Sequence, residues 1–231
     1  AWKYKIASFP DHPERNNNAL RKVVAYAREL GIPCVFWNRE DGVHFERFFA
    51  SAKLFDYIFT VDGNSVPRYR ALIGQAVTVA PLLFAVQPAI HFPSPRGYLH
   101  RRACFLGSYS SHTHNRRRSW QEILFAASSE LGLTVFDRNS DRRSSNYRYP
   151  DLPWLEVRPG VHHTETAQIY RDYMVSLNVN TVEGSGTMFS RRLIEILACG
   201  GLAVTTPGIS VDRYVRDYCH VVTNEAEARD L

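Results

Sequence analysis

Short apolar stretches typical of buried strands alternate with stretches at helical spacing along almost the whole chain. In the first half, the strand-like residues 34–37 and 57–61 are each followed by a predicted helix, over residues 44–52 and 65–73. The same rhythm returns in the second half, where the strand-like residues 103–107 precede another predicted helix. Strands that alternate with helices in this way usually form a parallel sheet that the helices cover. We therefore predict an α/β fold.

The alternation stops near the middle of the chain, where Pro88, Pro93, Pro95 and Gly97 fall in one short stretch. Such a stretch is typical of a linker, so we predict two Rossmann-like, doubly wound lobes. The predicted division is an N-terminal lobe over residues 1–90, a linker over residues 91–101 and a C-terminal lobe over residues 102–231. We expect a ligand in the cleft between the lobes, at the carboxyl ends of their strands. The first lobe is short and the chain has no initiator methionine, which is compatible with an incomplete lobe.

The chain carries a formal net charge of +5, and much of its arginine lies in the tract Arg116–Arg118 and in residues 138–148. Three explanations fit this charge: a nucleic-acid site, a solvated basic surface, or attraction to acidic substrates and phospholipid headgroups. No helix-turn-helix, RNP or zinc-finger signature is present, so nucleic acid is the least favoured of the three. A peripheral contact with a membrane surface stays open.

The four cysteines are far apart and lie in apolar or strand-like surroundings. No cysteine or histidine spacing typical of metal ligands occurs, so we expect reduced thiols and no metal site. The chain has no apolar run long enough to span a bilayer, and its first residues lack the apolar core of a signal peptide. A cytoplasmic location, with membrane association left open, is the default expectation.

The segment over residues 187–200 has the most distinctive pattern in the chain. It predicts a helix that ends at Gly200, with an apolar stripe on one side. A different side gathers the remaining distinctive side chains, which are Met188, Arg191, Arg192, Glu195 and Cys199. Two arginines and a carboxylate this close together could hold an anion together with a hydroxyl-rich ligand. For Glu195 the alternative is a salt bridge to Arg191, one helical turn away.

Two loops have the composition of a phosphate-binding turn. Residues 183–187 lead into the predicted helix through glycines and hydroxyls, which is typical of an anion-binding helix N-terminus, and an ordinary capped start is the alternative. The strand over residues 103–107 runs through Ser108 and Tyr109 into a helix that begins near Arg116. Backbone N–H groups there are candidates to bind a phosphate, and a tight turn without a ligand is the alternative.

Polar side chains also follow two other predicted strands. Asn178 and Asn180 end one strand on its polar face, where they either contact a ligand or satisfy nearby backbone groups. In the first lobe, Glu40, Asp41 and His44 form the cluster that offers a general base. The alternatives are a helix N-cap for Asp41 and an ordinary helix-surface position for His44.

Several stretches resemble, in the same order, the CgeB-type (spore maturation protein-like) glycosyltransferases. The resemblance covers most of the chain and is carried by residues 36–41, 55–62, 105–109, 177–180 and 187–200. Proteins of this kind are similar to GT-B glycosyltransferases, in which two Rossmann-like lobes face each other. The resemblance implies that the second lobe binds a nucleotide-diphosphate sugar and that the first lobe binds the acceptor.

Residue roles follow from the same resemblance. It implies that the diphosphate is bound by Arg191 and Arg192 and the ribose by Glu195. The remaining predicted donor-site residues are Gly107, Ser108, Tyr109, Arg116, Asn178, Asn180, Thr187 and Met188. The resemblance also implies catalysis without a metal or other cofactor, because arginines and a helix N-terminus stabilise the departing diphosphate.

Thr187 departs from the family pattern. Many retaining GT-B enzymes carry two glutamates eight positions apart, and here Thr187 stands eight positions before Glu195. The resemblance therefore leaves the stereochemical outcome and the contact with the donor sugar open. The leading hypothesis is transfer of a sugar from a nucleotide-diphosphate donor to a cell-envelope glycan, lipid-linked or polyol-type acceptor. A non-catalytic nucleotide-sugar-binding module or scaffold is the alternative.

Overall fold

A computed structural model describes residues 15–230, which form two compact units, each with its own parallel sheet. The first unit comprises residues 15–84 and 184–188, and the second unit comprises residues 85–183 and 189–230. This division differs from the boundary predicted from the prolines, because residues 85–90 and the predicted linker over residues 91–101 belong to the second unit. His91 is buried there, and the first strand of that unit already begins at His100. The prolines therefore mark irregular backbone within a unit.

The first unit is a three-stranded parallel sheet with helices between its strands. Its elements are α1 (Asn18–Glu29), β1 (Val35–Asn38), α2 (Asp41–Ala52), β2 (Tyr57–Thr60), α3 (Val66–Ile73) and β3 (Thr78–Pro81). The strands pair in the order β1-β2-β3. Apolar side chains of α2, β2 and α3, such as Phe45, Ile58 and Tyr69, are buried together against the sheet. Gly74 follows α3 and ends the helix, as the sequence predicts. Its φ of 89° is a conformation that a residue with a side chain rarely adopts.

The second unit is a six-stranded parallel sheet. Its strands are β4 (His100–Gly107), β5 (Leu133–Asp137), β6 (Leu155–Pro159), β7 (Tyr173–Asn178), β8 (Ala203–Thr205) and β9 (His220–Val221). Its helices are α4 (Asn115–Ala127), α5 (His163–Asp172), α6 (Arg191–Ala198), α7 (Ile209–Tyr214) and α8 (Glu225–Arg229). The strand order is β6-β5-β4-β7-β8-β9, so the chain winds outward from β4 in one direction and then from β7 in the other. This is the doubly wound Rossmann order, with its switch point between β4 and β7.

Burial explains why the central strands are so apolar. All residues of β5 are buried, and the last five residues of β4 are buried as well. A parallel strand covered by helices on both faces reads as a continuous apolar run, which is the pattern that predicts both strands. Helix α4 covers them with Trp120, Leu124 and Phe125, and each large side chain buried in this way contributes about 1.5–3 kcal/mol.

Helix α6 is shorter than the sequence predicts. It begins at Arg191 with Ser190 as its N-cap, so the prediction of a helix from Thr187 is wrong at that end. Thr187 is instead hydrogen bonded within the first unit, and the Ser190 N–H donates to Asn180 Oδ1 at 2.9 Å. The C-terminal end agrees with the prediction, since Gly200 follows the helix with φ of 72°. No helix within residues 15–230 has the length and apolar character needed to cross a membrane.

Candidate functional site

Three arginines of the second unit meet at the carboxyl ends of its central strands, beside the switch point. We call Arg117, Arg138 and Arg192 the arginine cluster. Arg117 comes from α4 and donates a hydrogen bond to the Ser108 carbonyl at 3.0 Å. Arg138 directly follows β5 and approaches Ser108 Oγ at 3.5 Å. Crevices at the carboxyl ends of strands next to a switch point are where doubly wound sheets bind their ligands.

Arg192 reaches the same place from the first turn of α6. Its Nε donates to the Leu106 carbonyl at 2.6 Å, and Nη1 donates to Asn178 Oδ1 at 3.2 Å. The guanidinium lies over the Phe105 ring, 4.6 Å from the ring centroid. A side chain at Gly107 would place its Cβ 2.9 Å from Arg192 Nη2 and 2.8 Å from the Phe105 ring. Gly107 therefore leaves the space through which Arg192 passes.

The arginine cluster holds positive charge that the rest of its unit does not neutralise. Within residues 15–230, no carboxylate oxygen lies within 4.0 Å of these three guanidinium groups. Burial, together with the charges of Arg192 and Arg138, lowers the pKa of Arg117 to about 10. Burial likewise lowers the pKa of Arg192. Arg117 still carries its proton at neutral pH, so the cluster is a place where an anion would be stabilised.

Tyr149 adds a hydroxyl to these surroundings. The charges of all three cluster arginines act on its phenol, and burial raises its pKa. Its buried Oη makes no hydrogen bond to any residue in the range 15–230. A buried hydroxyl without a partner costs about 1–3 kcal/mol, which a ligand oxygen would recover.

Arg116 and Arg117 are neighbours in the sequence but have different environments. Arg116 is exposed, and its Nε and Nη2 each donate at 3.0 Å to the Glu183 carboxylate. Glu183 also accepts a hydrogen bond from Trp120 Nε1 at 2.9 Å. The predicted donor site includes Arg116, and the structure places it in this ion pair. Sequence reasoning missed Arg117, Arg138 and Tyr149, although the position of Arg138 directly after a central strand was a usable signal.

The loop after β4 contributes mainly backbone. Ser108 is buried, and its carbonyl accepts hydrogen bonds from Arg117 and from Gln121 Nε2 at 3.1 Å. Tyr109 is buried too, and its hydroxyl donates to Glu122 Oε1 of α4 at 2.9 Å. The loop therefore anchors Arg117, while the tip of Tyr109 is engaged with α4.

Asn178 and Asn180 form a buried polar network with the end of β8. Asn178 Nδ2 donates to Thr205 Oγ1 at 2.8 Å, and Asn180 Nδ2 donates to the Thr206 carbonyl at 2.9 Å. Asn180 Oδ1 accepts from the backbone of Ser190 at the start of α6. Since neighbouring groups satisfy both amides, their contribution is to position Arg192 and the first turn of α6.

Glu195 forms the salt bridge that the sequence left as an alternative. Arg191 Nε lies 2.9 Å from its Oε1, and His91 Nε2 lies 3.8 Å from the same oxygen. Glu195 is buried, whereas the side chain of Arg191 is 41% exposed.

Thr187 and Met188 belong to the first unit, not to the unit that holds the arginine cluster. The Thr187 hydroxyl donates to the Val61 carbonyl at 2.9 Å and accepts from the Gly63 N–H at 2.7 Å. The Met188 N–H donates to Ser185 Oγ at 3.0 Å. These bonds hold the segment Gly184–Met188 onto the loop that follows β2.

Of the three predicted catalytic residues, Asp41 is the one whose pKa is raised. It is buried at the start of α2, and no residue between 15 and 230 donates a hydrogen bond to either of its carboxylate oxygens. Burial raises its pKa to about 6, and the nearby Thr60 and Tyr69 side chains only partly offset this. Glu40 is exposed at the N-cap of α2, and His44 lies at a kink with φ −130° and ψ 42°. A carboxylate with a pKa near 6 accepts protons readily at neutral pH.

The profile of the glycosyl transferase-like family matches residues 115–230. This match runs from the start of α4 to the C-terminal end of α8 and includes the whole arginine cluster. A search among curated proteins finds no match.

Several solved structures are similar to most of this chain at low sequence identity. Sucrose-phosphate synthase from Thermosynechococcus elongatus has a TM-score of 0.57 at 13% identity, over 94% of this chain and 69% of that one. A UDP-forming α,α-trehalose-phosphate synthase from Burkholderia xenovorans has a TM-score of 0.54 at 12% identity, over 91% of this chain and 62% of that one. The Anabaena protein Alr3699/HepE, solved in complex with UDP and glucose, has a TM-score of 0.54 at 12% identity, over 93% of this chain and 64% of that one.

These likenesses confirm the predicted α/β fold with Rossmann-like lobes of the GT-B kind. The chain spans about three fifths of the length of the Burkholderia and Anabaena proteins.

Proposed function

This chain belongs to the glycosyl transferase-like family, and we propose that it transfers a sugar from a nucleotide-diphosphate donor bound by its second unit. The proposed acceptor is a cell-envelope glycan, a lipid-linked glycan or a polyol-type molecule. The CgeB-type motifs noted in the sequence support placing the chain in that branch of the family, and this placement is part of the proposal. The four free cysteines support a reducing compartment such as the cytoplasm.

The arginine cluster is the observation that carries this proposal. A nucleotide diphosphate presents several negatively charged oxygens, and guanidinium groups bind such oxygens through paired, charge-assisted hydrogen bonds. Arg117 and Arg192 are held by backbone carbonyls, while Arg138 lies exposed after β5. Groups fixed in this way stabilise the charge that develops on the diphosphate as the glycosidic bond breaks. We propose that they do this without a divalent ion.

Other residues have narrower proposed roles. We propose that Glu195 binds ribose hydroxyls, because the contact with Arg191 orients its buried carboxylate. Asp41 is the proposed base that removes the proton of the acceptor hydroxyl, on the strength of its burial and its raised pKa. Thr187 stands where many retaining relatives carry a glutamate, so the stereochemical outcome is to be determined by product analysis.

Calorimetric titration of the full chain with UDP, GDP, TDP and CMP tests the donor site. The Anabaena neighbour was solved with UDP and glucose, so UDP is the first nucleotide to test. We expect one of the diphosphates to bind, and the proposal is wrong if none of the four nucleotides binds.

The substitution Arg138→Gln tests whether the arginine cluster is responsible for binding. We expect it to weaken nucleotide binding about tenfold or more, because it removes a charge-assisted contact from an exposed side chain that folding does not require. Arg116→Gln is the matched control, since Arg116 is also exposed but pairs with Glu183, and its affinity should stay within about twofold of the wild type. Equal losses in both variants would mean that general positive charge, not the cluster, binds the nucleotide.

Release of nucleotide from the cognate sugar donor distinguishes an enzyme from a binding module. We expect slow donor hydrolysis by the wild-type chain even without an acceptor. A chain that binds the donor but shows neither hydrolysis nor transfer would support the non-catalytic module instead.

A further inference from the structure

His91 of the second unit is buried in a way that leaves its ring unsatisfied. The residue is 3% exposed, and neither ring nitrogen makes a hydrogen bond to any residue between 15 and 230. Its nearest charged neighbour is Glu195 Oε1, which lies 3.8 Å from Nε2. Burying an imidazole without a partner is unfavourable, so the surroundings of His91 favour a ligand that would accept its lone pair or its proton.

Two further metal-ligating side chains lie beside His91. His163 is exposed in the first turn of α5, and Glu195 is buried on α6. One potential ligand atom from each of the three residues lies within 4.8 Å of the other two. The His91 and His163 rings are 5.3 Å apart between centroids. We infer that His91, His163 and Glu195 form a binding site for a divalent transition-metal ion of the zinc type.

The chemistry of the donors selects the kind of cation. Two imidazoles and one carboxylate suit zinc and its neighbours in the first transition row, whereas magnesium and calcium prefer oxygen ligands. Burial lowers the pKa of the His91 imidazole. Three protein ligands leave a fourth position for water in a tetrahedral zinc site.

The geometry requires only a modest closure of the site. Ligand atoms about 2 Å from a tetrahedral zinc ion are about 3.3 Å apart, so the longest separation has to shorten by about 1.5 Å. The exposed side chain of His163 supplies this movement most easily. Arg191 contacts the Glu195 carboxylate from the same helix, and such outer contacts orient a ligating carboxylate.

The spacing of these residues explains why sequence patterns do not reveal the site. His91, His163 and Glu195 come from three separate segments of the chain, and none of them has a second ligand close by in a recognised spacing. The expectation of no metal site rests on that missing spacing. The inference does not rest on the proposed glycosyl transfer, but a zinc ion on Glu195 would compete with the ribose for the same carboxylate. The zinc titration is therefore done without nucleotide.

Titration of the metal-free full chain with Zn²⁺ tests the site. After removal of any affinity tag and treatment with a chelator, calorimetry should give one strong Zn²⁺ site per chain, and Zn²⁺ should raise the melting temperature. His163→Ala should weaken this binding at least about tenfold, because it removes a ligand from an exposed position where folding is unaffected. His220→Ala, an exposed histidine of β9, is the matched control and should bind as the wild type does.

Cobalt substitution separates this site from adventitious binding to thiols. The Co²⁺-loaded chain should show visible d–d bands without a thiolate charge-transfer band, and His163→Ala should lose these bands. Absence of a strong Zn²⁺ site, or a site that survives His163→Ala unchanged, would overturn the inference. A thiolate band would overturn it as well, because the zinc would then be bound by cysteine.

Discussion

Two aspartates of the first unit show how strongly the local environment sets the chemistry of one residue type. Asp41 is buried, and its pKa is raised to about 6 because the charged form is poorly solvated. Asp56 accepts hydrogen bonds from the Cys34 N–H at 2.8 Å and from Arg28 Nε at 2.9 Å. These contacts, first the backbone N–H and then Arg28, lower the pKa of Asp56. The same side chain thus has its pKa raised in one place and lowered in the other.

The two carboxylates should affect stability with opposite dependence on pH. The unfolded chain loses the Asp41 proton near pH 4 and the folded chain near pH 6, so the folded state is penalised as pH rises through this window. Asp41→Asn should therefore gain stability relative to the wild type between pH 4 and 6, by about 3 kcal/mol at most. Urea unfolding at several pH values measures this difference.

Asp56→Asn is the control, since its effect on stability should depend on pH in the opposite direction. Because the pKa of Asp56 is lowered, its contribution is present at neutral pH and is lost as pH falls below the ordinary aspartate range. The variant should be less stable than the wild type at pH 7, and the gap should close in acid. A difference between Asp41→Asn and the wild type that does not change with pH would show that the pKa of Asp41 is not raised.

At the scale of elements, α6 depends on a residue outside itself. The N–H of its N-cap residue, Ser190, donates to Asn180, which follows β7 and whose amide also donates to the carbonyl of Thr206, just after β8. The helix carries no sequence signal that marks this start, since the side chain of its N-cap residue, Ser190, makes no capping hydrogen bond. The start of α6 is therefore determined by tertiary hydrogen bonds.

Asn180→Ala should destabilise the chain by about 1–3 kcal/mol, because it removes the acceptor of the half-buried Ser190 N–H and one of the two donors to the buried Thr206 carbonyl. Urea unfolding followed by circular dichroism measures the loss. Asn146→Ala, at an exposed position in the loop after β5, is the matched control and should change stability by less than about 0.5 kcal/mol. Similar stability of the two variants would contradict the role given to Asn180.

The alternation of apolar strands and amphipathic helices was enough to predict the α/β class and nearly every element. It was enough because the central parallel strands are buried on both faces and their composition reports this directly. The start of α6 and the choice between Arg116 and Arg117 were not predictable, since each depends on hydrogen-bond partners outside the helix concerned. Glu183 and Ser108 decide which arginine is neutralised and which reaches the cluster.

At the scale of the whole molecule, the net charge of +5 does not imply a uniform basic surface. Within the tract Arg116–Arg118, Arg116 pairs with Glu183, Arg118 lies 3.6 Å from Glu122, and Arg117 is turned to Ser108. Nucleic-acid binding requires several free positive groups along one face. The tract provides few of them.

We therefore expect no saturable binding of a fluorescein-labelled single-stranded oligonucleotide at micromolar protein and low salt. Fluorescence anisotropy of the labelled oligonucleotide, repeated at increasing salt concentrations, measures the binding. The double variant Arg142→Gln, Arg143→Gln tests two of the exposed arginines of residues 138–148. Binding by the wild type that falls with salt and disappears in this variant would show that the nucleic-acid explanation was rejected wrongly.

The segment Gly184–Met188 has a consequence for how the chain can be divided. It lies between two stretches of the second unit, yet Ser185 Oγ donates to Asp62 Oδ1 at 2.7 Å and Thr187 bonds to the backbone of the first unit. A single cut after Phe84 therefore does not separate two complete folding units. The N-terminal fragment would lack the Ser185 and Thr187 hydroxyls, which hydrogen bond to Asp62, Val61 and Gly63. The C-terminal fragment would carry the segment Gly184–Met188, whose partners lie in the other fragment. Gene fusions, split reporters and exchanges of lobes between relatives have to treat the two units as interleaved along the chain.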